Sequence, residues 1–201
     1  MLLSDRHITQ LAEAGMLEPF IPELVRTEPD GRKVLSYGLS SYGYDLRLSD
    51  KEFYTFRPLK ASDSGSQAVI DPKDFNPAHL ARAPINNDPE RGSYFILPAN
   101  SYGLGVTVER ISIPENLTAL FIGKSTYARA GLIVNTTPGE AGWRGHLTLE
   151  FSNSSCAPCR IYANEGICQM LLLEGEPCLT SYHERSGKYQ DQGHEVVLSR
   201  V

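Results

Sequence analysis

Between Val34 and Glu174 the chain breaks into short runs rich in Val, Ile, Leu, Phe, Tyr and Thr, divided by Gly, Pro, Asn and Ser. Many short strands with regular turn signals fit an all-β barrel or sandwich and argue against alternating βα units. The runs that read as strands are Tyr44–Leu48, Glu52–Phe56, Ser93–Leu97, Tyr102–Glu109, Leu117–Ile122, Leu132–Asn135, His146–Asn153, Cys159–Tyr162 and Ile167–Glu174. Ahead of them Ser4 can cap a helix over residues 4–14, with Ile8, Leu11 and Ala12 on one face and Gly15 at its end. Residues 57–92 are rich in Asp, Ser, Pro and Asn and read as a long excursion with one short helix near Pro77–Ala81.

A chain of 201 residues suits one domain with a sizeable core. Its net charge of −5 excludes the broad basic face of a sequence-independent nucleic-acid binder, though a local cationic pocket for one anion is allowed. No apolar run approaches the roughly 20 residues that span a bilayer. The start, Met1 to His7, has no basic region followed by an apolar core, so the cytoplasm is the expected compartment and no membrane partner is expected. Cys156, Cys159, Cys168 and Cys178 are then expected as reduced thiols.

Two segments carry chemistry. Gly123-Lys124-Ser125-Thr126-Tyr127-Ala128-Arg129-Ala130-Gly131 gathers two cations and two hydroxyls behind a glycine turn. It is no P-loop: Thr118 stands where that pattern needs glycine, and Ala119 to Ile122 form an apolar strand. What remains is a strand ending in glycine, then a short helix opening at Ser125 or Thr126. Its backbone N–H groups and Lys124 suit a polyphosphate, and Ser125 and Arg129, four apart, share one side. An exposed turn with a surface arginine explains the segment equally well.

In His146–Phe151, Leu147, Leu149 and Phe151 point one way and His146, Thr148 and Glu150 the other. A solvent-facing polar row is the common meaning of that alternation; Glu150 becomes an acid/base candidate if the cradle lies against it. His146 reads as polar surface. Cys156-Ala157-Pro158-Cys159 lacks the His-x-Glu of the zinc-dependent base deaminases, and its proline falls inside the pair. It reads as a loop with two thiols, a structural zinc being the lesser option. The segment from Ser181 onward, with Tyr182, Lys188, Tyr189 and Gln192 between Gly187 and Gly193, is either a frayed tail or a lid that orders over a ligand.

Together these pieces resemble the dCTP deaminase family. The likeness runs from Ser4-Asp5-Arg6 to Gly187-Lys188-Tyr189-Gln190. It is carried by Ser40-Ser41-Tyr42-Gly43-Tyr44-Asp45, Gly123 to Arg129, Gly142 to Asn153 and Ile161-Tyr162-Ala163-Asn164-Glu165-Gly166. The resemblance implies a single domain over 1–201, a distorted β-barrel of the dUTPase-like, jelly-roll type, with residues 181–201 as an arm closing over the nucleotide. It further implies a homotrimer that converts dCTP and water to dUTP and ammonia without zinc, with Mg²⁺ carried by the triphosphate and dTTP as an inhibitor. By resemblance Glu150 shuttles protons, while Ser125 and Arg129 position and polarise the water and the base. Lys124, Ser125, Thr126, Tyr127, Ala128 and Arg129 bind nucleotide. Thr148 and Leu149 line the base pocket, and Gln169, Tyr182, Lys188 and Gln192 complete the site.

The chain departs from its relatives at Gly139, Ala141 and Gly142, where bulkier residues are usual, which weakens a ligand role for Glu140. Relatives that hydrolyse dUTP onward carry a Thr-Ala-Gly…Ile-Asp-x-Gly-Phe loop that is missing here, so the implied activity is deamination alone. A bifunctional deaminase–dUTPase and a catalytically silent nucleotide-binding module are the alternatives.

Overall fold

The computed structural model describes residues 1–59, 69–135 and 137–201. Helix α1 (Asp5–Glu13) precedes strands β1 (Leu17–Glu18), β2 (Leu24–Thr27), β3 (Lys33–Ser40) and β4 (Gly43–Phe56). A 3₁₀ turn at Pro77–His79 leads into β5 (Leu80–Arg82), β6 (Asn86–Asp88), β7 (Gly92–Leu97), β8 (Ser101–Ser112) and β9 (Leu117–Gly123). Then come α2 (Ser125–Ala128), β10 (Leu132–Val134), β11 (Thr137–Gly139), β12 (Arg144–Asn153), β13 (Cys159–Tyr162) and β14 (Gly166–Glu174).

The main sheet is antiparallel in the order β10-β12-β8-β4-β14-β9-β11, with β1 beside β8, β5 beside β4, and the β2–β3 hairpin attached through β3 to β4. It curls so far that β9 and β10, distant in that order, meet: a Cβ on Gly123 would stand 3.1 Å from the Val134 carbonyl oxygen. A small sheet, β13-β7-β6, lies apart from this path. The fold is therefore mainly β, a distorted half-barrel with one short N-terminal helix.

Aromatic packing fills the barrel. The Phe53 ring stacks on Phe95 at 5.2 Å and 17°, and tilts against Phe151 at 5.2 Å. Glycine makes this possible on the neighbouring strand, where a Cβ on Gly103 would lie 2.8 Å from the Phe53 ring. Glu109 is also fully buried, its carboxylate accepting from Arg47 Nε at 2.7 Å and from the Arg47 backbone N–H at 2.9 Å. Burial pushes the Glu109 carboxyl up and Arg47 opposes that shift.

Several sequence expectations change at their edges. Ser4 precedes α1, but its hydroxyl meets His7 Nδ1 at 3.2 Å rather than capping a backbone N–H. The two strands expected at 44–48 and 52–56 are one long strand. Its first half pairs with β3 and β14 and its second half with β8 and β5, so the polar residues 49–51 mark a crossing, not a break. The excursion expected over 57–92 lies partly outside the described residues; within them it holds the 3₁₀ turn, β5 and β6.

Phe53→Ala is expected to lower the unfolding free energy by about 3–5 kcal/mol, read from the denaturant midpoint at unchanged slope.

Candidate active site

Strand β12 builds the site floor. Its pleat buries Leu149 and Phe151 and turns Thr148 and Glu150 toward a cavity of about 660 Å³, and a register shift between His146 and Thr148 brings Leu147, expected on the buried side, to the cavity wall as well. That volume suits one nucleotide-sized ligand. Apolar walls come from Phe56, Phe75, Tyr102 and Leu104, with Tyr102 edge-on to Phe56 at 5.3 Å. Thr137, Pro138, Gly139, Glu140 and Trp143 form a further side. Glu140 also pairs with Arg185 at 3.1 Å.

Residues 181–199 roof the cavity, contributing Tyr182, Lys188, Tyr189, Gln192, Val197, Leu198 and Ser199. Backbone approach fastens them. The Trp143 indole N–H donates to the Tyr189 carbonyl at 2.8 Å, and the Tyr189 N–H donates to the Tyr182 hydroxyl at 3.0 Å. The His146 N–H donates to the Gln192 carbonyl at 3.0 Å. Gly145, at φ +145°, permits that contact, because a Cβ there would lie 2.7 Å from the Gln192 nitrogen. Thr148 then ties the floor to the roof: its hydroxyl donates to Gln192 Oε1 at 3.1 Å and accepts from the Val197 N–H at 3.0 Å. Lys188 donates to the Arg200 carbonyl at 2.8 Å.

His146 is not simple polar surface. Its ring lies half-covered and stacked on His194 at 4.3 Å and 8°. His146 Nδ1 faces the Thr107 carbonyl at 3.2 Å, and His194 Nε2 meets the Ser49 hydroxyl at 2.9 Å. Burial first holds both imidazoles below the usual histidine value. Arg110 and Lys51 add to the effect at His146, and His146 and Lys51 at His194, where Asp50 and Glu52 pull the other way.

The second group of sequence-predicted residues sits elsewhere on the chain. Ser125, Thr126, Ala128 and Arg129 are exposed on α2 and the residue after it, and Arg129 donates to the Ser125 hydroxyl at 3.0 Å. Lys124 ion-pairs with Asp45 and donates to the Ser36 carbonyl at 2.9 Å and the Ser36 hydroxyl at 3.0 Å. Its three N–H bonds are thus engaged within the chain. The Tyr127 side chain is buried and its hydroxyl accepts from the Tyr162 N–H at 2.9 Å, leaving backbone atoms as what this residue can offer a ligand. The same holds for buried Leu149. Gln169 donates to the Ser40 hydroxyl at 3.1 Å. Among the described residues, none of 124–129, nor Gln169, lines the cavity that holds Glu150.

Sequence reading passed over the aromatic wall, the His146–His194 stack, the Asp45 partner of Lys124, and Asn135, whose amide reaches the Glu150 carboxylate. The four cysteines are free thiols spread between surface and core. Among the described residues no group of three or more His, Cys, Asp or Glu side chains is placed to hold a metal ion, and no helix is long and apolar enough to cross a membrane.

The chain is thus a curled antiparallel sheet with an acid on the wall of a cavity that the last part of the chain roofs. A solved 2'-deoxycytidine 5'-triphosphate deaminase from Agrobacterium tumefaciens shares this fold at TM-score 0.58 and 16% identity, over 87% of this chain and 46% of that one. Residues 2–175 match the family model described as dCTP deaminase-like. Proteins named dCTP deaminase from Alcanivorax borkumensis and Paraburkholderia xenovorans are 48% and 47% identical over 200 residues, 98% of each chain. The chain belongs to the dCTP deaminase family.

The histidine stack, with both rings held below the usual histidine value, is expected to make arm docking sensitive to pH. Docking favours the neutral rings, so its contribution is complete above the free histidine value of about 6.5 and is lost as pH falls through and below it. Hydrogen exchange of residues 191–197 should therefore speed up relative to the sheet as pH falls below about 6.5. His194→Phe, which keeps a ring and removes the proton, should flatten that profile.

Proposed function

We propose that this chain deaminates dCTP hydrolytically to dUTP and ammonia, in a homotrimer whose sites each combine two chains. The observation that carries this reading is Glu150, an acid on the wall of a nucleotide-sized cavity, in a chain 48% identical end to end to a protein named dCTP deaminase. In the reaction Glu150 takes a proton from water as its oxygen adds to C4 of cytosine. The proton passes to N3, and a second one moves from the new hydroxyl, through Glu150, to the exocyclic amine. The C4–N bond then breaks, releasing ammonia and leaving a C4 carbonyl.

Ser125 and Arg129 are assigned to the water and the base, and the 124–129 segment to the phosphates, with Lys124 holding the turn through Asp45. Tyr182, Lys188 and Gln192 close the site, and Thr148 and the Leu149 backbone face the pyrimidine. Mg²⁺ enters as the complex of the triphosphate, and no zinc takes part. The free thiols suit a cytoplasmic protein.

Two facts support a shared site: no residue of α2 lines the Glu150 cavity of its own chain, and exposed apolar side chains flank the helix. Leu120 and Ile122 on β9 and Ile133 on β10 are 36%, 39% and 55% exposed. A cyclic trimer would cover such a patch and bring Arg129 of one chain to Glu150 of the next.

Incubation with dCTP should release ammonia without pyrophosphate; pyrophosphate formed in step would instead mean a deaminase–dUTPase. Glu150→Gln should lower kcat by at least about 10²-fold while dCTP affinity changes little. A near-wild-type rate for that variant would remove Glu150 from its role.

Shared sites make a second prediction. Glu150→Gln and Arg129→Ala trimers, each inactive, should regain about a quarter of the wild-type rate after subunit exchange, because one interface order in four pairs two intact halves. No recovery despite proven exchange would place both groups in one chain.

A further inference from the structure

A glutamate on an open strand has three free torsions, so something must aim its carboxylate if it is to pass protons in order. Asn135 is placed to do so. It follows β10, whose last pair is Val134 with Phe151, so it stands opposite Glu150. Its backbone N–H donates to the Glu150 carbonyl at 2.9 Å, and its side-chain amide donates to Glu150 Oε2 at 2.5 Å. One residue therefore grips the glutamate at both its main chain and its tip. Strand β8 holds the opposite edge, with Leu104 paired to Glu150 and Tyr102 diagonal to it.

We propose that Asn135 is a positioning residue for Glu150, capping Oε2 so that Oε1 faces the cavity and carries the proton; this rests on Glu150 being the proton carrier. An ionised carboxylate only accepts hydrogen bonds, whereas an amide N–H only donates and does not titrate. Asn135 thus occupies one oxygen without competing for the proton. Protonation of Oε2 would set two donors against each other, so the proton resides on Oε1. Among the described residues no second donor reaches this carboxylate, so its aim depends on this single amide.

The test is a pair of substitutions read in two backgrounds with dCTP. Asn135→Ala should lower kcat by about 10- to 100-fold with KM within about threefold, since aim rather than binding is lost. In the Glu150→Gln background the same change should have no further effect on the residual rate. Asn135→Asp should move the acid limb of the kcat/KM profile to higher pH, because a second negative charge favours the protonated form of its neighbour. Full activity of Asn135→Ala, an equal loss in both backgrounds, or an unmoved acid limb would each overturn the proposal. Glu150→Gln turning over at the wild-type rate would overturn the role of Glu150 itself, and so marks failure of the underlying reading apart from failure of Asn135. The thermal midpoint of each variant, expected near wild type for an exposed asparagine, separates aim from folding.

Discussion

The pleat of β12 governs everything else. Side chains alternate across a strand, so burying Leu149 and Phe151 commits Thr148 and Glu150 to the opposite face. The register with β8 fixes that choice along almost the whole strand, and a slip by one residue would put the carboxylate into an aromatic core. The fold and the chemistry are therefore not independent. The rings that stabilise the barrel are the reason the acid faces a cavity at all.

The remaining parts of the site are held by other means. The roof is attached through main-chain contacts and small side chains, with Gly145 making room for Gln192 and Thr148 bonding two arm residues at once. The cation at the turn is held differently: Lys124 is neutralised by Asp45 inside its own chain, which leaves Arg129 as the exposed positive group beside Ser125. One lysine thus shapes the turn within its own chain, and the proposed role at the ligand passes to the exposed arginine.

Much of this was readable from the residues. Alternation over 146–151 marked β12 and set Thr148 and Glu150 opposite Leu149 and Phe151, but a register shift between His146 and Thr148 lets Leu147 line the cavity too; turn residues marked eight of the strands within a few positions. Six strands escaped notice, the eight-residue β3 and the two-residue β1 among them, and the others have little signal of their own. β5, β6 and β11 are three residues each, and β2 carries Arg26 and Thr27 outward, so only their partners define them. Tyr127 was legible as part of a motif but not as a core residue, since one buried aromatic in a four-residue helix leaves no periodicity. His146 looked like surface because its cover, His194, lies 48 positions on in sequence. Asn135 was hidden for a similar reason: its significance lies across a strand pair, and no spacing along the chain encodes it.

The arm adds little to the barrel interior, for Val196, Val197 and Leu198 are only partly covered and the large buried rings all lie before residue 152. Endurance of the folded body and enclosure of a small molecule are thus assigned to separate stretches of polypeptide. A ribosome that has released residues 1–175 has already produced every strand of the sheet; the final two dozen residues supply only the ceiling.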